Sequence, residues 1–243
     1  MKKKYGLLGR NISYSFSEKY FNERFENEGV NAQYFTFDLQ DINELAPLLK
    51  EKKLNGLNVT IPYKQDVFPF LDNLSVEVEE IGAVNVIKFE KDGTLSGHNS
   101  DYYGFKNSLL ESVSNLPKKA LVLGTGGASK AVVKALKDLN IDWKYVSRTP
   151  KKNQFTYEEL NDTILKEYHL IVNCSPVGTF PNIEKYPNIP YQFLTNQHIM
   201  FDLIYNPEVT KFMQNGVDKG AQAINGYRML ILQAEKAWEI WNS

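Results

Sequence analysis

The most constraining feature of this sequence is an apolar segment that runs into a glycine-rich turn and then into a helical pattern. Residues 119–123 are mostly apolar, and apolar residues recur at helical spacing over 131–139. The turn between them holds small residues, Gly124, Gly126, Gly127 and Ala128. In this setting the backbone can approach a pyrophosphate, which the free N–H groups of the helix start would bind. The pattern predicts a dinucleotide-binding loop; the alternative is an ordinary turn between a strand and a helix.

The loop lies mid-chain, so the first hundred residues must form something else. Strand patterns cover 5–8, 33–37 and 56–61, and a hairpin about Asp92-Gly93 covers 83–97. Helical patterns cover 18–28, a segment capped by Asp41 or Asn43, 63–71 with a break at Pro69, and 75–81. This alternation predicts a small α/β domain that ends near Asp101.

Alternating strands and helices also follow that boundary. A long helix is predicted at 102–114, and strands at 143–147, 169–173, 199–204 and 221–224. The capping box Thr156–Glu159 predicts a short helix, and Asn206-Pro207-Glu208 predicts another with proline in its first turn. A long amphipathic helix begins after Gly226. Together these elements predict a Rossmann-type domain.

Composition excludes several classes of protein. With 42% hydrophobic residues, the 243-residue chain has the composition of a globular protein. Its net charge of −1 gives no excess of positive charge that would attract nucleic acid or an anionic membrane. No signal peptide or membrane span is visible, and the single cysteine, Cys174, suggests a reducing compartment, so we expect a cytoplasmic protein. The three histidines lack metal-ligand spacing, so no metal site is predicted.

Four blocks, in order around the glycine loop, resemble the shikimate dehydrogenase family. They are the serine-containing loop 9–17, the Asn-Val-Thr-x-Pro-x-Lys motif at 58–64, the pair 82–85 and 97–104, and the segment 226–233. The resemblance implies reversible NADPH-dependent reduction of 3-dehydroshikimate to shikimate, in aromatic amino acid biosynthesis. It also implies a substrate domain, residues 1–101 completed by the helix 226–243, an NADP-binding domain at 102–225, and a cleft between them.

The resemblance assigns catalysis to Lys64 and Asp101. Ketone reduction needs a proton for the developing alkoxide, and an ammonium group can both stabilise that charge and supply the proton. Asp101 would pair with Lys64 and orient it. Without the motif, Lys64 would be read as a surface lysine and Asp101 as a helix cap.

Short neutral groups suit a substrate with one carboxylate and three hydroxyls. By resemblance, the substrate residues are Ser15, Ser17, Asn58, Thr60, Asn85, Tyr205 and Gln233. The serine loop departs from the family pattern at Asn11, Tyr14 and Glu18, which leaves both serines in register. These departures bear on the conformation of the loop and on its substrate selectivity.

The strand after the glycine loop indicates the cofactor. NAD sites usually carry an acid at its tip to bind the ribose hydroxyl, but here the tip reads Ser147-Arg148-Thr149, with Lys151 and Lys152 after it. A guanidinium suits a 2′-phosphate, so NADP is predicted. The predicted cofactor residues are Gly124, Gly126, Gly127, Ala128, Ser147, Arg148, Thr149, Lys152, Leu203 and Gly226.

Two alternatives remain open. One is a quinate/shikimate dehydrogenase with relaxed specificity, which would share the lysine–aspartate pair. The other is a non-catalytic NADP-binding regulator that has kept the fold. The expected partners are a small-molecule substrate and, at most, a second copy of the chain, since the sequence leaves monomer and homodimer open.

Overall fold

The computed structural model describes residues 2–12, 15–51 and 53–243, with Glu51 described by its backbone alone. Tyr14, one of the departures in the serine loop, therefore lies outside the described residues. The chain divides into two units, which we describe separately. The first unit contains residues 1–100 and 234–243, and the second unit contains residues 101–233.

The first unit is built on a mixed sheet that, within the described residues, has six strands in the order β2-β1-β3-β5-β6-β4. The strands are β1 (Lys3–Gly9), β2 (Ala32–Asp38), β3 (Gly56–Val59), β4 (Asn73–Leu74), β5 (Val86–Phe89) and β6 (Leu95–His98). β1 runs parallel to β2 and β3, whereas β5 runs antiparallel to β3 and β6. The carboxyl ends of β1, β3 and β6 and the start of β5 therefore share one edge of the sheet.

Helices cover both faces of this sheet. The helices of the first hundred residues are α1 (Phe16–Asn27), α2 (Leu45–Glu51) and α3 (Val76–Ile81). Aromatic residues of α1 pack with Tyr5 and with Trp241 near the chain end on one face. Leu8, Leu57 and Ile87 form the core on the other face. Each core excludes water from one side of the sheet, which leaves polar side chains at its edges.

The second unit is built on a sheet that, among the described residues, has five parallel strands in the order β11-β10-β9-β7-β8. The strands are β7 (Lys119–Leu123), β8 (Asp142–Val146), β9 (Leu170–Asn173), β10 (Ile199–Asp202) and β11 (Gln222–Ile224). The helices are α4 (Asp101–Ser112), α5 (Gly127–Asp138), α6 (Asp162–Leu165), α7 (Lys211–Val217) and α8 (Tyr227–Asn242), which ends in the first unit. The strand order reverses beside β7, and such switch points are where parallel α/β sheets bind ligands.

The predicted strands and the long helices are confirmed with shifts of a few residues, but one predicted helix is wrong and two begin later than predicted. Residues 63–71 form turns and a short 3-10 helix at Phe68–Phe70, since the Lys64 carbonyl accepts from Val84 N rather than from a following turn. Pro69 also lacks the N–H that an α-helix needs there. The hairpin at 83–97 is confirmed, but its connection is longer than a two-residue turn, with Glu90 N donating to Thr94 O.

The other two helices begin later than predicted. The Thr156–Glu159 box forms both of its hydrogen bonds, but the helix itself is α6, which Asn161 caps. The helix predicted at Asn206-Pro207-Glu208 is α7, capped by Thr210. In both cases a second polar residue further along the chain supplies the cap.

Within the described residues, no helix combines the length and the apolar character needed to cross a bilayer.

Candidate active site

The polar edge of the first sheet gathers several predicted substrate residues. Asn58 lies in β3, and its side-chain Nδ2 donates to the Asn85 carbonyl at 3.3 Å. The Asn85 carbonyl also accepts from Val59 N at 2.8 Å. Thr60 follows on the same edge and is held there by its N–H, which donates to Leu8 O at 2.8 Å. The sheet register therefore brings Asn58, Thr60 and Asn85 together.

Tyr34 is a residue of this edge that sequence reasoning missed. It is fully buried, and its hydroxyl donates to Asn58 Oδ1 at 2.8 Å. Burial raises the pKa of Tyr34 well above its usual value, and a hydrogen bond with Ser17 opposes that shift. Tyr34 thus links two predicted substrate residues, Ser17 and Asn58. A tyrosine in a buried strand position indicates a hydroxyl that needs a hydrogen-bond partner, but the sequence does not identify that partner.

Asn85 also orders the segment that leads to Asp101. Its Oδ1 accepts from Ser100 N at 2.6 Å, and its Nδ2 donates to Ser100 Oγ at 3.0 Å. Asn85 and Ser100 are both buried, so these bonds are shielded from water. One asparagine therefore contributes to the polar edge and fixes the backbone immediately before the predicted catalytic aspartate.

Lys64 lies after β3 in the turn that replaces the predicted helix. Its side chain is half-buried, and its carbonyl accepts from Val84 N at 2.8 Å. The preceding residue, Tyr63, is buried, and its hydroxyl donates to Leu39 O at 2.7 Å. These contacts fix the Lys64 backbone at the same edge as Asn58 and Asn85 while leaving its side chain partly open to solvent.

The serine loop ends in the cap of α1. Ser15 is the N-cap residue, and its hydroxyl accepts from Ser17 N at 3.1 Å. Glu18, one of the departures from the family pattern, accepts a hydrogen bond from Thr36 Oγ1. Asn11 takes a positive φ, and its N–H donates to Asp38 Oδ1 at 2.8 Å. The altered residues therefore tie the described part of this loop to β2.

In the second unit, Asp101 and Gln233 lie on two helices that pack closely together. Asp101 begins α4 and is only 3% exposed. One turn later, a Cβ added to Gly104 would lie 2.7 Å from Met229 O and 3.1 Å from Gln233 Cβ. A side chain at Gly104 would force α4 and α8 apart. The glycine therefore keeps the Gln233 backbone next to the first turn of the helix that carries Asp101.

The predicted dinucleotide loop has the backbone that such a loop requires. Gly124 has φ +99°, which favours glycine, and a Cβ added there would lie 3.4 Å from Ser175 N. Gly126 is the N-cap of α5, and a Cβ added there would meet open space. As a glycine, Gly126 has no side chain to cap the helix, which leaves room for an anion to bind the N–H groups at the helix start. Gly127 and Ala128 form the first helical turn.

The tip of β8 is polar and basic. Ser147 Oγ accepts from Thr149 N at 3.2 Å, and Ser147 N donates to Phe155 O at 2.9 Å, so the tip is anchored. The side chains of Arg148, Thr149, Lys151 and Lys152 are exposed. An anchored backbone with exposed cations is compatible with a phosphate ligand.

The segments after β10 and β11 bring the remaining predicted residues together. Leu203 N donates to Asn173 O at 3.1 Å, and Gly226 N donates to Ile204 O at 3.0 Å. Leu203 and Gly226 are thus on adjacent segments, and Tyr205 is half-buried in the same loop. Burial and the nearby Asp202 raise the pKa of Cys174, which makes it a packed thiol rather than a nucleophile.

Two further features lie outside this arrangement. A cavity of about 550 Å³ opens in the first unit near Lys3, Lys88 and Trp241, and no predicted site residue lines it. In the described ranges, no group of three or more His, Cys, Asp or Glu residues is placed to hold a metal ion.

The chain has close relatives of known family. Residues 7–87 match the model of the shikimate dehydrogenase substrate binding domain. The shikimate dehydrogenase (NADP(+)) of Clostridium beijerinckii is 38% identical, over 98% of this chain and 91% of that protein. A crystal structure of a shikimate dehydrogenase in complex with NADP+ has a TM-score of 0.88 at 31% identity, covering 99% of this chain and 90% of that one.

A further solved structure carries both ligands. The shikimate 5-dehydrogenase of Thermus thermophilus, in complex with NADP(H) and shikimate, has a TM-score of 0.86 at 29% identity and covers 98% of this chain and 93% of that one. The four sequence blocks, the two α/β units and these near full-length matches agree: this chain belongs to the shikimate dehydrogenase family.

Proposed function

We propose that this chain catalyses the reversible NADP-dependent oxidation of shikimate to 3-dehydroshikimate. The observation that carries the proposal is the polar edge of the first unit, where neutral amides and hydroxyls gather at the end of the strand that leads to the half-buried Lys64. Such an edge suits a small polyhydroxylated substrate that exchanges a proton with the protein.

The substrate would be bound by hydrogen bonds rather than by ion pairs. Asn58, Thr60, Asn85 and the serines Ser15 and Ser17 offer amides and hydroxyls, which can donate to or accept from the substrate hydroxyls. The family resemblance adds the hydroxyl of Tyr205 and the amide of Gln233 to this set. Tyr34 and Ser100 would act behind these groups by holding Asn58 and Asn85 in orientation.

Lys64 would carry the proton chemistry. Its ammonium group would protonate the alkoxide oxygen during reduction, and in the oxidation direction the neutral amine would take the proton from the substrate hydroxyl. Asp101 would pair with this ammonium group and orient it. When bound, the nicotinamide ring supplies or receives the hydride.

The glycine loop and the β8 tip fit NADP. The N–H groups at the start of α5 would hold the pyrophosphate, and the open space at Gly126 leaves room for it. Arg148, with Ser147, Thr149 and Lys152, would bind the 2′-phosphate. The domain roles follow from these assignments: residues 1–101 with the closing helix would bind substrate, and residues 102–225 would bind NADP.

The chain is also expected to work in the cytoplasm as a monomer or a homodimer. The single thiol supports a reducing compartment. Light scattering of the purified protein would distinguish the two assembly states.

The test compares shikimate and quinate, each with NADP+ and with NAD+, by following the absorbance of the reduced nicotinamide. We expect the highest kcat/KM for shikimate with NADP+. Comparable values with quinate, or with NAD+, would support the relaxed-specificity enzyme. Four flat traces from a folded protein that still binds NADP+ would support the non-catalytic regulator.

A further inference from the structure

A buried carboxylate lies at the edge of the second sheet, between the loop that packs on the glycine turn and the loop that carries Tyr205. Asp202 ends β10 and has no exposed surface. In the sheet register it lies opposite Asn173, which ends β9 and is equally buried. A carboxylate buried this deeply is costly unless hydrogen bonds satisfy its oxygens.

Three donors converge on Asp202, one at the end of β9 and two in the loop after β10. Asn173 Nδ2 and Ile204 N donate to its Oδ1 at 3.0 and 3.1 Å. Thr210 Oγ1 donates to its Oδ2 at 2.6 Å, while the same hydroxyl caps α7 by accepting from Met213 N at 3.3 Å. We call Asn173, Asp202 and Thr210 the Asp202 cluster.

One side of the Asp202 cluster reaches the dinucleotide loop. Asn173 Oδ1 accepts from both Ser175 N, at 3.1 Å, and Ser175 Oγ, at 2.7 Å. Ser175 N lies against Gly124, within the space that a Cβ at that glycine would touch. The orientation of the Asn173 amide, which Asp202 fixes, therefore sets the position of the loop that packs on the glycine turn.

The other side of the cluster holds the loop that carries Tyr205. Ile204 and Thr210 flank this loop, and both donate to the Asp202 carboxylate. Between them, Asn206 O accepts from Phe180 N at 3.2 Å, which ties the loop to the segment after β9. The loop is thus held at both ends by one side chain.

Among the described residues, no cation contributes to this arrangement. The influences on the Asp202 pKa are burial, which raises it, and the three hydrogen bonds, which lower it. The titratable side chains that feel its charge are Cys174 and Tyr191, and burial raises the pKa of both, so each stays neutral near pH 7. The carboxylate therefore acts through its acceptor geometry.

We propose that Asp202 is a positioning residue that holds the loop beside the dinucleotide turn and the Tyr205 loop in their binding geometry. It touches neither ligand and acts through Asn173, Ile204 and Thr210. This inference rests on the proposed function, since it assigns the two loops to NADP and to shikimate.

The first test compares Asp202→Ala with Asp202→Asn. The alanine variant leaves two loops without their shared acceptor, so we expect KM to rise about tenfold for both NADP+ and shikimate, with kcat within about threefold of wild type. The asparagine variant keeps an acceptor at Oδ1, and its Nδ2 can donate to the Thr210 hydroxyl. We therefore expect it to have wild-type KM values for both NADP+ and shikimate. A folded alanine variant with wild-type KM values, or an asparagine variant as impaired as alanine, overturns the proposal.

A second pair keeps the test decisive if Asp202→Ala does not fold. Thr210→Val removes the hydroxyl at the end of the Tyr205 loop, and Thr210→Ser keeps it. We expect the valine variant to raise KM for shikimate severalfold more than KM for NADP+, and the serine variant to match wild type. Equal effects of valine and serine overturn the proposal.

The control for a merely structural role is His198→Ala. His198 is also buried and polar, but it lies at the other end of β10, where its ring contacts Leu165 O at 3.0 Å. We expect this variant to lower Tm and leave both KM values unchanged.

NADP+ binding is also measured by calorimetry for wild type and for each variant. A wild-type enzyme that binds NADP+ but does not turn over shikimate contradicts the proposed function, whereas an active wild type with unaffected variants contradicts only this inference.

Discussion

The buried hydroxyl of Tyr34 supports the candidate substrate site by holding Asn58, although no sequence motif includes Tyr34. Its hydroxyl donates to Asn58 Oδ1, and Asn58 in turn donates to the Asn85 carbonyl. Tyr34→Phe would leave Asn58 Oδ1 without this donor, at a cost of about 1–2 kcal/mol. We therefore expect KM for shikimate to rise about fivefold to tenfold with a smaller change in kcat, measured by steady-state kinetics.

The matched control is Tyr5→Phe. Tyr5 is also buried and lies in the neighbouring strand, but its ring packs with Phe25 and Trp241 rather than with the polar edge. Its loss of a hydroxyl should leave KM for shikimate unchanged. Equal KM values for Tyr34→Phe and wild type would remove Tyr34 from the site.

The burial of Asp202 should also make the free energy of unfolding depend on pH. Burial raises its pKa from 3.8 to about 6, so the folded protein binds this proton more tightly than the unfolded chain. The protonated carboxyl therefore stabilises the fold, and this contribution is lost as the pH rises from about 4 to about 6. This contribution is about 2–3 kcal/mol, because a pKa difference of one unit between the folded and unfolded states corresponds to about 1.36 kcal/mol.

Other groups titrate over the same range, so the measurement is a difference between two proteins. The free energy of unfolding is measured by urea denaturation for wild type and Asp202→Asn at several pH values. We expect wild type to lose stability relative to the variant between pH 4 and 6, and a constant difference above about 7. A difference that does not vary with pH would mean that Asp202 keeps an ordinary pKa.

At the residue scale, a contiguous motif is enough to predict that its residues lie close together. Lys64, Asn58 and Thr60 share one short motif, and their common edge follows from the end of a strand. Tyr34 and Asp202 could not be assigned this way, because their roles depend on partners from other strands. Register and burial decide which hydroxyl meets which amide, and neither can be read from a local pattern.

The glycine loop is an element whose two turn glycines should behave differently. Gly124 has positive φ, so Gly124→Ala strains the backbone and should destabilise the protein by about 1–3 kcal/mol. Gly126 has φ −78° and open space around it, so Gly126→Ala should leave stability nearly unchanged. Its methyl group would instead project into the expected pyrophosphate position.

Thermal unfolding without ligand and calorimetric binding of NADP+ separate the two effects. We expect Gly124→Ala to lower Tm, and Gly126→Ala to keep Tm and weaken NADP+ binding at least tenfold. Undiminished NADP+ binding by Gly126→Ala would contradict the assignment of this turn to the cofactor.

At the element scale, hydrophobic periodicity predicted most strands and the long helices, while helix starts were the main errors. The Thr156–Glu159 box formed, but Phe155 N is bonded to Tyr145 O, so the chain is still extended there. Thr210 caps α7 because its hydroxyl meets buried Asp202. Tertiary hydrogen bonds of this kind compete with local helix signals and are invisible in one sequence.

At the scale of the whole molecule, the end of the chain completes the core of its beginning. Trp241 is 7% exposed, its ring lies 4.9 Å from Tyr5 and 5.5 Å from Phe21, and its Nε1 donates to Ile87 O. Trp241→Ala should destabilise the first unit by about 3–5 kcal/mol. Hydrogen exchange should show the loss of protection in β1 and α1.

The control is Glu239→Ala, an exposed position two residues earlier on the same helix. We expect Glu239→Ala to change the free energy of unfolding by less than about 0.5 kcal/mol. Unchanged protection of β1 in Trp241→Ala would mean that the closing helix does not stabilise the first unit. The alternation of strands and helices predicted both α/β units, while the place of this helix was expected only through the family resemblance.

We propose that Lys64 exchanges the proton in an NADP-dependent oxidation of shikimate. Kinetics of Lys64→Ala with shikimate and NADP+ test it most directly, with the exposed neighbour Gln65→Ala as control and an unchanged Tm as the check on folding. We predict that kcat falls by about 10²–10⁴ while KM for shikimate stays within about threefold, and that Gln65→Ala matches wild type. Wild-type turnover by Lys64→Ala would contradict the claim.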